Sequence, residues 1–344
     1  MPQRSAHLVG SLSFSSAREV FEEVATIAGS AVKRIPDGET GERGRWVAWQ
    51  VDTMARSPYL QQLEPPESES TEYKQVGKYA IKPGVSASDV RFDKLGYAEV
   101  ALESYAIFAE LKAAGRIAAG VRFQVSLPTP LPLLTGFIDL PDQAALEPAL
   151  EAALKREVAE IASSISHDEL AIQWDVAAEI ALLETDLFPS FLKGDKEGMI
   201  ERLARLGDAV PADVEMGYHI CYGNNGNKHF KEPADTGLMV EIANEIFARV
   251  HRPVNWVHMP VPIDRDDDAY FVPLGSLELP PGTGLFLGLL HPADGVEGAS
   301  RRMKTAARYI QNFGVASECG LSGHTPDWTR HMLEIYRQVA DVEL

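Results

Sequence analysis

Eight short apolar runs alternate with eight helical patterns along almost the whole chain, and that alternation leaves few folds open. The candidate strands are 6–12 (AHLVGSL), 31–36 (AVKRIP), 121–127 (VRFQVSL), 170–175 (LAIQWD), 213–221 (DVEMGYHIC), 254–259 (VNWVHM), 284–290 (GLFLGLL) and 313–318 (FGVASE). Helical patterns lie near 16–28, 40–55, 95–115, 147–166, 194–208, 234–250, 297–312 and 326–341. Several carry apolar residues three or four apart, as in Leu150, Leu154, Val158 and Ile161. Eight such repeats in 344 residues predict a single α/β domain over 1–344, a (β/α)8 TIM barrel with inserted loops. A doubly wound open sheet is the rival, but no glycine-rich dinucleotide fingerprint follows the first strand.

Two stretches interrupt the pattern. Residues 57–94 contain LEPPESESTEY and KPGVSASD and show little periodicity, so they read either as a lid over a site or as a solvated insertion. Residues 260–281 include IDRDDDAY, which lacks the glycine and terminal glutamate of a calcium loop and reads as solvated.

Charge narrows the partners. With 32 Lys+Arg against 50 Asp+Glu the formal net charge is −18, which disfavours nucleic acid and anionic membrane surfaces. No apolar run reaches the ~18 residues that span a bilayer, and MPQRSAHLVGSLSFSS has no long apolar signal-peptide core. A cytoplasmic protein acting on small molecules is expected. Two cysteines make no disulfide framework, so each needs its own explanation.

In a barrel, chemistry sits where strands end on the C-terminal face. The reactive side chains there are Ser11, Asp37, Glu39, Asp175, His219, Cys221, His258, His291 and Cys319. Alternate residues of a strand share a face, so His219 and Cys221 would point together into the barrel mouth. Cys319, 98 residues further on, reaches the same rim once the barrel closes. One imidazole and two thiolates suit Zn2+ with an open fourth position. Two buried free cysteines packing as small apolar residues fit the spacing equally well.

The motifs HLVGS (7–11), DGE (37–39), IQWD (172–175), GYHICYGN (217–224), GLLHPADGVE (288–297) and ECGL (318–321) occur in one order. That ordered set resembles the catalytic C-terminal barrel of cobalamin-independent methionine synthase, in the superfamily it shares with uroporphyrinogen decarboxylase. The resemblance implies a zinc ion held by His219, Cys221 and Cys319 that binds a substrate thiol. It implies that Glu39 and Asp175 hold the amino group of a homocysteine-like thiol, with Gly10 and Ser11 near its carboxylate. A glutamate is the family's fourth ligand; its position falls on Val257-His258-Met259, so His258 is expected to replace it, the alternative being a histidine hydrogen-bonded to a loop carbonyl. His291 and Asp175 are the candidate catalytic side chains.

The chain departs from the family after the third strand. SLPTPLPLLTGFID (126–139) replaces the family's G-P-x-T segment and carries no tryptophan, and these 344 residues are expected to hold no counterpart of the family's large N-terminal barrel. Polyglutamylated folate is therefore disfavoured as methyl donor. Arg43, Arg45 and Trp46 near the rim would bind an anionic or planar group, or form solvated helical turns. The leading expectation is a zinc-dependent methyl or alkyl transferase acting on a small thiol. The alternatives are a decarboxylase or lyase on the same scaffold, and a non-catalytic barrel that binds a metal or ligand.

Overall fold

The computed structural model describes residues 4–64, 77–224 and 228–342. Its strands are β1 (Ala6–His7), β2 (Arg34–Pro36), β3 (Leu60–Gln62), β4 (Tyr79–Ile81), β5 (Arg122–Pro128), β6 (Leu170–Val176), β7 (Glu215–Ile220), β8 (Trp256–Pro260), β9 (Gly284–Leu290) and β10 (Phe313–Ser317). Eight of them form one parallel sheet in the order β1-β10-β9-β8-β7-β6-β5-β2. Isolated parallel bridges Ala6↔Val32 and Ser11↔Gly38 join its two ends, so the sheet curls into a nearly closed (β/α)8 barrel. The eight expected strands are these eight.

Burial follows from that closure. Every residue of β6 is buried, because one face meets the barrel interior and the other meets the surrounding helices. Large and small side chains alternate inside: Ala171, Trp256, Phe286 and Ala316 form one interior cluster. The outer faces of the strands share a core with the helices, for example Ile172, Trp174, Val257 and Leu287 with Val158, Leu203 and Met303. Among the described residues, no helix is long and apolar enough to cross a membrane.

The stretch 57–94 is anchored where it is described. Its middle, 65–76, with most of LEPPESESTEY, lies outside the described residues. The flanks pair as the antiparallel hairpin β3–β4, which the sequence did not announce. Leu60, Tyr79, Val90, Phe92 and Leu95 pack with Leu133, Leu134, Phe137, Leu146 and Leu150 as a second core. Apolar residues too sparse for any period still find a common surface once the chain folds back.

Two helical readings change. The pattern at 40–55 is a 3-10 stretch Gly41–Gln50 followed by helix Val51–Arg56, broken at Arg45 and Trp46, where Trp46 takes φ 53. The segment 126–139 contains helix Pro130–Phe137, which tolerates its prolines because they fall in the first turn. The next helix, Leu140–Ser164, projects Glu157 at the start of helix Tyr97–Ala113. There Glu157 Oε1 accepts from Leu95 N (2.7 Å) and Gly96 N (3.2 Å), and Oε2 from Ala98 N (2.6 Å). Glu157→Ala strips a buried helix terminus of its acceptors. It should cost about 2–4 kcal/mol in urea unfolding; a loss below about 0.5 kcal/mol would show that water replaces the carboxylate at no cost.

Candidate metal centre and substrate pocket

Register places the site. In the parallel ladder Asp175 on β6 lies opposite His219 on β7, and His219 opposite His258 on β8. The three side chains therefore form one row across neighbouring strands. Cys221 stands one residue beyond β7 but keeps the extended path, its N–H donating to Val176 O at 3.0 Å. Two steps of a strand bring its side chain to the face of His219. Cys319 arrives from the loop after β10.

The three donors converge. Cys319 Sγ is 3.6 Å from Cys221 Sγ and 3.6 Å from His219 Nε2. One ligand atom from each of His219, Cys221 and Cys319 lies within 4.8 Å of the others. With Zn–S near 2.3 Å and Zn–N near 2.05 Å, a tetrahedral ion would set sulfur atoms about 3.8 Å apart and sulfur–nitrogen about 3.6 Å. The residues fit such an ion in spacing as well as in donor type.

Hydrogen bonds decide which nitrogen of His219 is free. His258 Nε2 lies 3.0 Å from Ser317 O, a carbonyl that can only accept, so this nitrogen carries the proton. Burial pulls the His258 pKa down to about 3, so its other nitrogen holds a lone pair. That Nδ1 is 2.7 Å from His219 Nδ1, which must then donate. Burial, with His258 and His7 nearby, keeps His219 neutral as well. The relay leaves His219 Nε2 as an acceptor facing the thiols.

His258, expected as a further ligand, stands outside the converging group. Both its nitrogens are committed. It stands behind His219 and orients it. At the position of the expected carboxylate-to-imidazole replacement, the structure shows an imidazole hydrogen-bonded to His219 and to Ser317 O.

The thiols are free and unequal. Cys319 is shifted down because the Cys221 thiol donates to it, with help from the Gly320 N–H against burial. Cys221 is shifted up by the same contact and by burial, although Gly223 N donates to its sulfur at 3.0 Å. Cys319 is therefore the more acidic of the two thiols.

On the β1–β2 side of these donors sits an acid pair. Burial, then Asp175 and Asp37, push the Glu39 carboxyl up to about 8. Burial pushes Asp175 up to about 8 too, against hydrogen bonds from Gln173 and Trp46. Glu39 has φ 48, a left-handed conformation uncommon for a residue with a side chain. Asp37 supports that turn by accepting from Glu39 N (2.9 Å), Arg43 Nη2 (2.7 Å) and Ser104 Oγ (2.8 Å). A Cβ at Gly10 would stand 3.0 Å from Glu39 Oε1, so this glycine gives the carboxyl room. Ser11 lies against Gly320, where a Cβ would meet Ser11 Oγ at 2.1 Å, and Ser11 O accepts from Leu321 N at 2.7 Å.

The structure thus gathers Gly10, Ser11, Glu39, Asp175, His219, Cys221 and Cys319 at one end of the barrel. His291 sits apart, past β9, donating from Nε2 to Val261 O at 2.9 Å with Nδ1 3.6 Å from Glu318 Oε2. Of the arginines near the rim, Arg43 is spent on Asp37, and Trp46 rather than an arginine reaches the acid pair. Gln173 escaped the sequence reading: its Nε2 donates to Asp175 Oδ1 (2.9 Å) and Val9 O (2.6 Å), and its Oε1 is 2.8 Å from His7 Nε2. The signal was available, since Gln173 is two residues before Asp175 on the same strand face. Ser317 and Glu318 carry no such signal.

No family model matches the chain, and no curated protein matches it. Solved structures do. A B12-independent methionine synthase from Shewanella in complex with selenomethionine has a TM-score of 0.61 and 14% identity, covering 99% of this chain and 97% of that one. A Listeria monocytogenes protein provisionally assigned as a vitamin-B12-independent methionine synthase has a TM-score of 0.55 at 14% identity, with coverage of 98% and 99%. A methyltransferase from Methanosarcina mazei has 0.53 at 13%, with coverage of 98% and 94%. At such identities the likeness establishes the barrel fold over the full chain.

Proposed function

We propose that this chain is a zinc-dependent transferase that alkylates a small amino-thiol, most simply with a methyl group. The observation that carries the reading is the convergence of His219 Nε2, Cys221 Sγ and Cys319 Sγ at spacings suited to a tetrahedral ion. Three protein donors leave one position for a substrate sulfur. When bound, zinc lowers the pKa of a coordinated thiol so that it is present as thiolate near neutral pH. Fold neighbours described as methionine synthases and a methyltransferase support the same class.

The chain's own residues then have distinct tasks. His219, Cys221 and Cys319 hold the ion, and His258 fixes the His219 tautomer. Glu39 and Asp175 receive the ammonium group of the thiol substrate, each giving up a proton as the cation arrives. Gly10 and Ser11 face its carboxylate end. Asp175 is oriented by hydrogen bonds from Gln173 and Trp46. His291, near Glu318 rather than the thiols, lies on the side of the second substrate.

Metal analysis of protein purified without added metal tests the first step. About one zinc per chain is expected; less than about a tenth, unchanged by reconstitution, would overturn the reading. Turnover with homocysteine and a panel of methyl donors tests the second. His258→Leu should weaken zinc binding about 10–100-fold, read by competition with a chromophoric chelator. His258→Gln, which can accept from His219 and donate to Ser317 O, should recover most of it. Equal affinities in both variants would remove His258 from the design.

A further inference from the structure

The C-terminal face holds a cavity of about 300 Å3 between the loops that follow β7, β8, β9 and β10, and neither Glu39 nor Asp175 lines it. Cys319 lines it, so whatever it holds lies beside one of the three converging donors. Its carboxyl groups are Glu232, Asp264 and Glu318; Lys228 is its single lysine, and no arginine lines it among the described residues. Phosphate and polyglutamyl groups need a basic clamp, which this wall does not provide. At about 300 Å3 the volume stands at the lower end for ligand sites and suits a small molecule.

The wall is also aromatic. Trp328 and His324 contribute to it as a stacked pair, ring centroids 3.5 Å apart and planes 7° from parallel. Glu318 Oε1 is buried and accepts no hydrogen bond among the described residues, with His229 Nε2 3.5 Å away. Carboxyl groups, an aromatic plate and apolar surface together form the setting that holds a cation without hydrogen-bonding hydrogens.

We propose that this cavity binds a small onium compound, a quaternary ammonium or a sulfonium, and that a methyl-bearing member of the class is the electrophile. The transfer half of the proposal rests on the thiol-transferase reading; the binding half does not. In the transfer, the substrate thiol has already lost its proton to solvent. Its sulfur lone pair forms a new C–S bond to the methyl carbon. The bond from that carbon to the onium nitrogen or sulfur breaks, its electron pair staying on the heteroatom. One anion and one cation become a neutral thioether and a neutral amine or sulfide. The leaving group needs no proton, and no oxidant or reductant enters.

Tetramethylammonium, tert-butyl alcohol and methyl phosphate serve as cationic, neutral and anionic probes of one size class, titrated calorimetrically into zinc-loaded protein. Tetramethylammonium should bind at least about tenfold more tightly than the alcohol, and methyl phosphate most weakly. Glu232 is exposed, so Glu232→Gln leaves the fold alone and should weaken tetramethylammonium about fivefold, as should Trp328→Leu. Equal binding of the alcohol, tighter binding of methyl phosphate, or unchanged affinity in both variants would overturn the proposal.

Metal-stripped Cys221→Ser protein separates this site from the thiol chemistry. It should still bind tetramethylammonium. Should the wild type hold no zinc and yet bind the probe, the thiol reading falls and the onium site stands. Zinc-loaded, thiol-active protein that ignores the probe overturns the onium site alone.

Discussion

Cys319→Ser is expected to lower zinc affinity by roughly 10³-fold and to abolish thiol-dependent turnover, while the protein stays folded. A serine hydroxyl is a hard, protonated donor and replaces a thiolate poorly. Cys319 is only half-buried and sits in a loop after the last strand, so its sulfur contributes little to the core. Cys221→Ser should have the same effect on metal, since its sulfur stands 3.6 Å from that of Cys319 and faces the same point. Circular dichroism and a Tm within a few degrees of the wild type would establish folding; zinc stoichiometry and homocysteine methylation then read the site. Retained activity in both variants would sink the thiol transferase and favour a decarboxylase or lyase on this barrel, which has no need of the thiols.

Neutralising the acid pair should produce the second large effect, and one with opposite signs in two measurements. Glu39 and Asp175 both have folded-state pKa values raised to about 8, far above the ordinary carboxyl range. A raised carboxyl pKa means the native state holds the proton longer than the unfolded chain does. Their contribution to stability is therefore fully present below about pH 4 and is lost as pH rises towards about 8. Asp175→Asn and Glu39→Gln should then stabilise the metal-free protein at pH 8 by at least about 1 kcal/mol each. The same variants should raise the KM for an amino-thiol about 100-fold, because an ammonium group loses its counter-charge. A thiol without an amino group should be unaffected. Substrate binding at pH 7 should also release protons from the pair, visible as a dependence of calorimetric heat on buffer. Variants that lose stability at pH 8, or a KM that does not move, would mean the pair is not poised for a cation.

The barrel was written in the chain because its signals are local. Runs such as LAIQWD and GLFLGLL are mostly apolar, as a parallel strand covered on both faces requires, and each is followed by helical spacing. The H-x-C spacing was equally local, since period two puts His219 and Cys221 on one strand face. Helix Pro130–Phe137 was not visible, because prolines read as breakers unless the first turn is known in advance. The Trp46 reversal was hidden for another reason. A left-handed non-glycine residue is uncommon, and here it goes with a hydrogen bond to Asp175, which lies 129 positions away in the sequence.

His258 marks the boundary most clearly. Position and residue type made it a competent ligand, and nothing in the sequence could say whether its nitrogens were free. Only the closed barrel sets Ser317 O against one nitrogen and His219 against the other, because β7, β8 and β10 become neighbours of one interior space. The sequence by itself determined the alternation, the strand ends and the chemical types gathered there, since periodicity and residue identity act over a few positions. The tertiary structure decided which of those groups share a proton, which face a common point and which merely support them. Hydrogen bonds and metal coordination depend, to within a few tenths of an ångström, on distances between residues that can be more than a hundred positions apart, and no local pattern carries that information.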